Sequence, residues 1–245
     1  MAIRLELLDV LDAAAAAAAR RRNVWVMGSA ECSFSGAAGN AWLSGRGYER
    51  VLGTDWRKDP EPVFRAMGFE TYTDVDLNDL ARRKLDLTAP LPDDCREAAD
   101  LVYDAGTLEH IFDLPTALHN MNRMLRPGGV IIHTTPVNFF QHGFVNVNPS
   151  LYSGFYAANG YTPVFLTFQV TIHNPLRIPR ISPWMPVKLA RFNLPYGKDS
   201  NTDWVRFFIR LSSISRLPRN LMLLAAYRKE KSQDEFAAPT DVWDE

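Results

Sequence analysis

Carboxylate and imidazole side chains recur in this chain at the ends of short apolar runs. Asp74 and Asp104 each end such a run, Glu109 and His110 follow the second run, and His142 follows the next one. A carboxylate offers two acceptor oxygens to hydroxyl groups, and histidine is the usual base near neutral pH. These residue types therefore suit a site that binds hydroxyl groups and moves a proton.

The elements that would position these residues alternate between helices and strands. The spacing predicts helices over 3–22, 60–67, 114–125 and 149–159, strands over 23–28, 68–74, 83–87, 100–104, 130–134, 163–172 and 221–228, and a loop with one short helix over 29–62. Strands that alternate with helices predict βαβ units and a mostly parallel sheet flanked by helices. Ligands of such sheets bind beyond the carboxyl ends of the strands, where the acids above are expected.

The composition is that of an ordinary globular chain. Of 245 residues, 47% are hydrophobic and 22% are charged, which excludes collagen-like and wholly disordered proteins. The longest apolar run, 13–19, is far shorter than the roughly 20 residues that span a bilayer. Two cysteines are too few for a disulfide scaffold, and the N-terminal charges run opposite to those of a signal peptide. We therefore expect a cytoplasmic protein.

Two motifs lie at the centre of the chain. The predicted strand 100–104 leads into Asp104-Ala-Gly-Thr-Leu-Glu-His110, and the next strand is preceded by Arg123-Met-Leu-Arg-Pro-Gly-Gly129. This combination resembles the S-adenosylmethionine-dependent methyltransferases of the Rossmann-like class. A bacterial methyltransferase-like group has a similar sequence in four segments, which in this chain are Gly106–Phe112, Pro136–Phe144, Asn148–Leu151 and Asn159–Tyr161.

The resemblance implies a Rossmann-like α/β fold with an antiparallel C-terminal edge strand, and S-adenosylmethionine as cofactor. It assigns Asp74 to the ribose hydroxyls, with Asp76 as a competing candidate two residues further along. The cofactor-binding residues that it implies are Gly28 and Ser29 in the first loop, Asp74 at the ribose, Asp86 and Leu87 beside the adenine, and Asp104, Ala105 and Gly106 on the methionine side.

The first loop departs from the family pattern. Related enzymes have a Gly-x-Gly-x-Gly turn after the first strand, whereas this chain has Met27-Gly-Ser-Ala-Glu31 and no further glycine before Gly36. The absence of a Gly-x-Gly-x-x-Gly motif disfavours a dehydrogenase. Two functions stay open: a methyltransferase, and a catalytically inactive protein of this fold that serves as a binding or scaffold subunit.

For the enzyme, we expect O-methylation of a small polar acceptor, a hydroxyl of a sugar or glycan. His142 and His110, with Glu109, are the predicted catalytic residues, because transfer to a hydroxyl needs a base. Glu109 and His110 could instead only order the turn. Some O-methyltransferases of this fold hold a metal ion with Glu-x-x-Glu-His and a later histidine, but Gly106 stands where the first glutamate would be. We therefore predict no metal.

A basic segment interrupts the C-terminal part of an otherwise acidic chain, whose net charge is −1. Residues 176–219 carry nine Lys and Arg against two Asp, with several aromatic residues. We expect one domain over 1–230 that includes this segment as an insertion or cap, and a flexible acidic tail over 231–245. The segment could cover an anionic acceptor, dock on anionic lipid as a peripheral membrane contact, or form a solvated face or homodimer contact. No specific nucleic-acid partner is expected.

Overall fold

The computed structural model describes residues 2–139, 141–173, 184–187 and 221–239. The helices are α1 (Leu5–Ala17), α2 (Gly36–Gly45), α3 (Glu61–Ala66), α4 (Leu114–Met124) and α5 (Pro149–Ala158). The strands are β1 (Ala2–Ile3), β2 (Asn23–Met27), β3 (Glu31–Cys32), β4 (Thr71–Asp76), β5 (Arg83–Lys84), β6 (Ala99–Asp104), β7 (Leu125–Pro136), β8 (Thr162–His173), β9 (Trp184–Val187) and β10 (Leu221–Arg228). Among these residues, no helix is both long and apolar enough to cross a bilayer.

Within the described residues, eight strands form one sheet in the order β5-β4-β2-β6-β7-β10-β8-β9. The first five are parallel, and β10 runs antiparallel to both β7 and β8. The predicted α/β class, with its mostly parallel sheet and antiparallel C-terminal strand, is therefore confirmed. The strand order reverses at β2, and β6 lies on the other side of it from β4, which places the switch point at the carboxyl ends of these three strands.

The C-terminal strand lies inside the sheet and not at its edge, which corrects the predicted edge position. Residues 223–227 of β10 are all buried, so this strand has its two faces covered and its two sides paired. A continuous apolar run of this kind is typical of an interior strand, whereas an edge strand needs polar positions. The outer positions fall to β8 and β9.

Helices cover both faces of the sheet, and each face has its own core. Side chains of α1, α2 and α3 pack on one face against Val24 and Val26 of β2 and Leu101 and Tyr103 of β6. On the other face, α4 and α5 pack against side chains that include Val102 of β6. Adjacent residues of β6 thus enter opposite cores, as the alternation of a strand requires. The buried strands leave only their ends free to meet a ligand.

Helix α1 ends at Ala17, five residues before the predicted end. The Arg21 guanidinium donates to Ala15 O at 3.0 Å and to Met67 O at 2.8 Å. This side chain therefore satisfies a carbonyl at the end of α1 and ties it to the end of α3, which requires Arg21 to lie outside the helix. Strand boundaries differ as well. The strand predicted over 83–87 ends at Lys84, and β7 begins directly after α4 and includes the Pro127-Gly-Gly129 turn signal.

Residues 231–239 pack on the domain, where the sequence predicted a flexible tail. Arg96 Nη1 lies 2.6 Å from Asp234 Oδ1, and Arg123 Nη2 donates to Asp234 O at 2.8 Å. The ring of Phe236 stacks on His119 of α4 at 5.2 Å and lies 5.8 Å from Phe155 of α5. Two arginines and an aromatic groove thus contact this part of the chain, and the predicted domain bounds and tail stay predictions. Residues 240–245 and most of the basic segment 176–219 lie outside the described residues.

Candidate cofactor and acceptor site

The turn after β2 brings the carboxyl ends of three strands together. Gly28 N donates to Val75 O of β4 at 2.7 Å, and Thr107 Oγ1 donates to Met27 O at 2.8 Å. Gly28 has φ +84°, and a Cβ there would lie 2.8 Å from Thr107 Oγ1. Only glycine fits this conformation and this approach without strain. The first loop thus keeps one required glycine, although the rest of the glycine pattern is missing.

Asp76 ends β4 and holds the first loop. Its Oδ2 accepts from Ser29 N at 2.9 Å, and its Oδ1 accepts from Leu77 N at 2.7 Å and from Asn78 N at 3.3 Å. Partial burial acts to raise the pKa of Asp76, but these backbone N–H groups outweigh it and the pKa is lowered. An ionised, partly accessible carboxylate therefore stands at the strand end, beside Ser29.

Asp74, the residue to which the sequence assigned the ribose, lies deeper and is ion-paired. Its Oδ1 lies 3.0 Å from Arg82 Nη1, and only 11% of its side chain is exposed. Arg82 Nη2 also meets Asp59 at 3.1 Å and Glu61 at 2.8 Å. Asp74 thus belongs to a network of ion pairs, and it lies two residues before the end of the strand. Of the two candidate acids, Asp76 is the one at the end of the strand.

Asp86 and Leu87 lie in the segment after β5, and they face different surroundings. Asp86 is exposed, and its Oδ1 accepts from Thr88 N at 2.8 Å and Thr88 Oγ1 at 2.7 Å, which lowers its pKa. Leu87 is buried, and its carbonyl accepts from Asn120 Nδ2 at 2.8 Å. Asn120, which also bonds Ala89 O at 2.8 Å, fixes this segment against α4. Its only sequence signal is a polar residue on the apolar face of the predicted helix.

Asp104 ends β6 and stabilises the turn that follows this strand. It is fully buried, and its Oδ2 lies 2.9 Å from His133 Nδ1 of β7. Its Oδ1 accepts from Thr107 N at 2.9 Å and from Leu108 N at 3.3 Å. Ala105 and Gly106 then turn the chain away from the strand, Gly106 with φ +84°. The Asp104 carboxylate therefore caps the turn that carries Glu109, and its acceptor capacity is used within the protein.

A buried chain of hydrogen bonds continues from Asp104. Tyr156 OH of α5 lies 2.6 Å from His133 Nε2, and Asn122 Nδ2 donates to the same hydroxyl at 3.3 Å. The Tyr152 ring stacks on His133 at 4.2 Å. Because an ionised Asp104 carboxylate only accepts, Nδ1–H of His133 donates to it, and in the neutral imidazole Nε2 then accepts from the Tyr156 hydroxyl. The sequence does not reveal this chain, since His133 stands within an apolar strand and its partners lie on two helices.

The structure brings together the three predicted catalytic residues. Glu109 and His110 lie on a 3-10 turn, and His142 lies on the loop after β7. His142 Nε2 is 3.7 Å from Glu109 Oε1, and the two imidazole rings are 4.9 Å apart. Phe144 N donates to Glu109 O at 2.6 Å, which joins the loop to the turn. Two segments far apart in sequence thus form one cluster.

The members of this cluster differ in burial. Glu109 is 0% exposed, and neither of its carboxylate oxygens has a hydrogen-bond partner among the described residues. Burial, and after it the nearby Asp104 carboxylate, raises the pKa of Glu109 to about 8. His110 is exposed, and burial of part of its ring together with His142 lowers its pKa. The His142 side chain is 41% exposed. A buried carboxyl group therefore lies beneath two accessible imidazoles.

Two exposed aromatic rings stand beside the imidazoles. Phe112 is 88% exposed and Phe144 is 70% exposed, and their rings meet edge to face at 6.0 Å. Each follows one of the two histidines by two residues along the chain. The two rings thus form an exposed apolar surface next to His110 and His142.

Residues 32–133 match the family model described as "Methyltransferase domain". Among solved structures, the N-methyltransferase NodS from Bradyrhizobium japonicum WM9, in complex with S-adenosyl-l-homocysteine, has a TM-score of 0.45 and 14% identity, and the alignment covers 91% of this chain and 85% of that one. A SAM-dependent methyltransferase from Archaeoglobus fulgidus has a TM-score of 0.45 and 12% identity, with 91% and 94% covered. No curated protein gives a significant sequence match.

The family match covers β4 and β6, whose ends carry Asp76 and Asp104, and most of β7; β2 and the loop that carries His142 lie outside the matched range. Over residues 32–133 it confirms the sequence-based recognition of a methyltransferase enzyme. S-adenosylmethionine as the cofactor stays what the resemblance of the sequence motifs implies. The roles of individual site residues remain predictions. Residues 32–133 are thus identified as a methyltransferase domain, the S-adenosylmethionine-dependent class that the sequence motifs indicate.

Proposed function

We propose that this methyltransferase acts on a hydroxyl group of a polar acceptor, a sugar or glycan. The observation that carries the proposal is the cluster of Glu109, His110 and His142 at the carboxyl edge of the sheet, where His142 Nε2 lies 3.7 Å from Glu109 Oε1. A hydroxyl acceptor must lose its proton when its oxygen is methylated, and accessible imidazoles next to the cofactor edge can take that proton.

The residues at the strand ends fit S-adenosylmethionine. Asp76 presents a carboxylate of lowered pKa at the end of β4, which suits the two ribose hydroxyls. Gly28 leaves the space above β2 free of a Cβ, and Ser29 follows it. Asp86 and Leu87 flank the adenine position, as the sequence predicts. We assign the ribose to Asp76 in place of Asp74, because Arg82 already neutralises Asp74.

The proposed roles of the acceptor residues follow from their burial and charge. When bound, S-adenosylmethionine supplies a methyl group already activated as a sulfonium. The lowered pKa of His110 keeps its imidazole uncharged near neutral pH, which is the form that accepts a proton. The side chain of His142 is 41% exposed, so it can reach a bound hydroxyl. Glu109 lies beneath the rings, with Oε1 3.7 Å from His142 Nε2.

The acceptor class is proposed from the exposed rings. Phe112 and Phe144 form an apolar wall next to the two histidines. A sugar ring presents an apolar C–H face and polar edges, so it can stack on such a wall while a hydroxyl meets an imidazole. The basic segment 176–219 would favour an acceptor that also carries negative charge, such as a phosphorylated or lipid-linked sugar.

Calorimetric titration with S-adenosylmethionine and S-adenosylhomocysteine tests the cofactor part of the proposal. Asp76→Asn should weaken binding by about 1.5–3 kcal/mol, the usual range for hydrogen bonds to a charged group. Asp74→Asn is the matched control, since it removes a carboxylate from the same strand, and its affinity should stay within about twofold of the unchanged protein. Equal losses in both variants would contradict the assignment of the ribose to Asp76.

Methyl transfer to a panel of sugars and sugar phosphates, followed by mass spectrometry, tests the acceptor part. His142→Gln should lower kcat for transfer while leaving the affinity for S-adenosylhomocysteine unchanged, because His142 does not contact the cofactor edge. If neither cofactor form binds at millimolar concentration, the scaffold alternative replaces the enzyme. If the cofactor binds but only amines are methylated, the hydroxyl acceptor is wrong.

A further inference from the structure

Three side chains that can ligate a metal ion meet where the turn after β6 approaches the loop after β7. One ligand-capable atom from each of Glu109, His110 and His142 lies within 4.8 Å of the corresponding atoms of the other two. We propose that these three residues bind a divalent transition-metal ion. The inference concerns the cluster of the proposed function and changes how the acceptor would lose its proton, because an imidazole nitrogen bound to the ion cannot take it, whereas a hydroxyl bound to the ion is more acidic. Binding of the ion does not depend on methyl transfer.

The state of Glu109 is the observation that points to a cation. Its carboxylate is fully buried, and neither oxygen accepts a hydrogen bond from any described residue. Burial of a carboxyl group without a partner costs free energy, so groups of this kind are found paired or bound to metals. The two nearest donor side chains are imidazoles, and the closer one is 3.7 Å away. A cation between the three groups would satisfy the carboxylate.

The donor set selects the kind of ion. Two imidazole nitrogens and one carboxylate oxygen suit Zn²⁺, Fe²⁺ or Co²⁺, whereas Ca²⁺ and Mg²⁺ prefer oxygen ligands alone. Bonds of about 2.1 Å to such an ion place ligand atoms about 3.0–3.4 Å apart, so only small rotations of the exposed histidine side chains are needed. Three protein ligands also leave positions free on the exposed side, where an acceptor oxygen could bind.

The protein scaffold holds the carboxylate and one loop in place before any ion arrives. Asp104 Oδ1 accepts from Thr107 N at 2.9 Å and so caps the turn that carries Glu109. Gly143 has φ +71°, and a Cβ there would lie 2.5 Å from Glu109 O, so the loop can approach this closely only with glycine. His142, next to this glycine, is thereby brought to the carboxylate.

The sequence led to the opposite expectation, that no metal binds, because Gly106 replaces the first glutamate of the known ligand pattern. In the structure, three donors come together without any contribution from position 106. His133, which lies within β7, is hydrogen-bonded to Asp104 and Tyr156 and is not one of the proposed ligands. The proposed site therefore depends on His142, whose distance from Glu109 could not be read from the chain.

Titration of the chelator-treated 245-residue chain with Co²⁺, followed by visible d–d absorption, tests the proposal without an activity assay. The chain should bind one Co²⁺ ion, and Zn²⁺ should displace it. Glu109→Gln and His142→Gln should each weaken binding by at least about tenfold, the effect expected of lost ligands or their close partners. His119→Gln is the matched control: it removes a histidine that stacks between Phe155 and Phe236, and it should leave Co²⁺ affinity unchanged.

Absence of Co²⁺ absorption in the unchanged chain would overturn the proposal, and so would equal affinity in all the variants. His142 lies on an exposed loop, so its variant keeps the inference testable if Glu109→Gln fails to fold. Titration of the same samples with S-adenosylhomocysteine separates the two proposals. Loss of Co²⁺ binding in a variant that still binds S-adenosylhomocysteine normally supports the metal site. Co²⁺ binding by an unchanged chain that does not bind S-adenosylhomocysteine would contradict only the proposed methyltransferase function.

Discussion

Replacement of Tyr156 by phenylalanine would break the buried hydrogen-bond chain that supports the site. The substitution keeps the ring, which stacks on Tyr227 at 4.2 Å, and removes only the hydroxyl. That hydroxyl lies 2.6 Å from His133 Nε2 and accepts from Asn122 at 3.3 Å. Asn122 retains its bond to Leu118 O at 2.7 Å, so the nitrogen of His133 is the group that loses its partner.

The expected loss follows from the burial of that nitrogen. His133 is 0% exposed, so water cannot replace the Tyr156 hydroxyl without a change in packing. A buried polar group without a partner costs about 1–3 kcal/mol. For a chain of this length, each kcal/mol corresponds to a decrease of about 2–4 °C in Tm. The free energy of unfolding should therefore fall by about 1–3 kcal/mol, with an unchanged dependence on urea concentration.

Tyr161 provides a matched control in the same aromatic cluster. Its ring lies 4.9 Å from that of Tyr156, and its hydroxyl is buried with no hydrogen-bond partner among the residues that the structure describes. Tyr161→Phe removes a hydroxyl of the same kind but breaks no bond. Its free energy of unfolding should stay the same or rise slightly, since an unsatisfied polar group is lost.

Urea unfolding of the three proteins, followed by circular dichroism, measures the difference. The two variants should differ by at least about 1 kcal/mol. Nitrogen-15 spectra of the folded protein provide a second check, because they distinguish the Nδ1–H from the Nε2–H tautomer of His133. Equal stability of Tyr156→Phe and Tyr161→Phe, or a proton on Nε2, would refute the hydrogen-bond directions argued above.

Three further substitutions test other parts of the structure. Gly28→Ala should destabilise the chain by about 1–3 kcal/mol and weaken S-adenosylhomocysteine binding, because φ is +84° and the new Cβ would meet Thr107; urea unfolding and calorimetry measure both effects. Lys229→Met should cost about 1–3 kcal/mol, because Nζ donates to two carbonyls at the end of α4 at 2.9 and 2.7 Å. Burial lowers the pKa of Lys229, so the unchanged chain gains stability as the pH rises toward 10.5, and the deficit of the variant should widen over that range. Phe236→Ala should speed proteolysis within 231–239, since the ring packs on α4 and α5, and an unaltered cleavage rate would contradict that packing.

The parallel strands were predictable because each carries its own local signal. The run 100–104 is apolar and short, and all its residues are buried in the structure, as expected of a central strand. The position of β10 was not predictable in the same way, because the pairing of strands depends on contacts between distant segments. Its apolar run showed that both faces are covered, but not that β8 would take the outer position.

The choice between Asp74 and Asp76 shows the same limit within the site. Both acids lie on the same side of one strand, so the alternation of side chains cannot distinguish them. The difference arises from Arg82, which reaches back to Asp74, and from Ser29, whose N–H meets Asp76. An ion pair and a loop contact, each formed in three dimensions, distinguish the surroundings of the two carboxylates, and the proposed assignment of the ribose depends on them.

Glu109 shows how a correct selection of residues can still leave the chemistry open. The sequence places Glu109 and His110 in one turn after a strand, and it places His142 after the next strand, so their common edge was expected. It does not show that the Glu109 carboxylate is fully buried and without a partner, since this depends on Asp104 holding the turn and on Gly143 bringing the loop close. A carboxylate open to solvent beside two histidines would act only as a hydrogen-bond acceptor. The same carboxylate enclosed beneath them needs a proton or a cation, and which of the two it holds determines how the acceptor is activated.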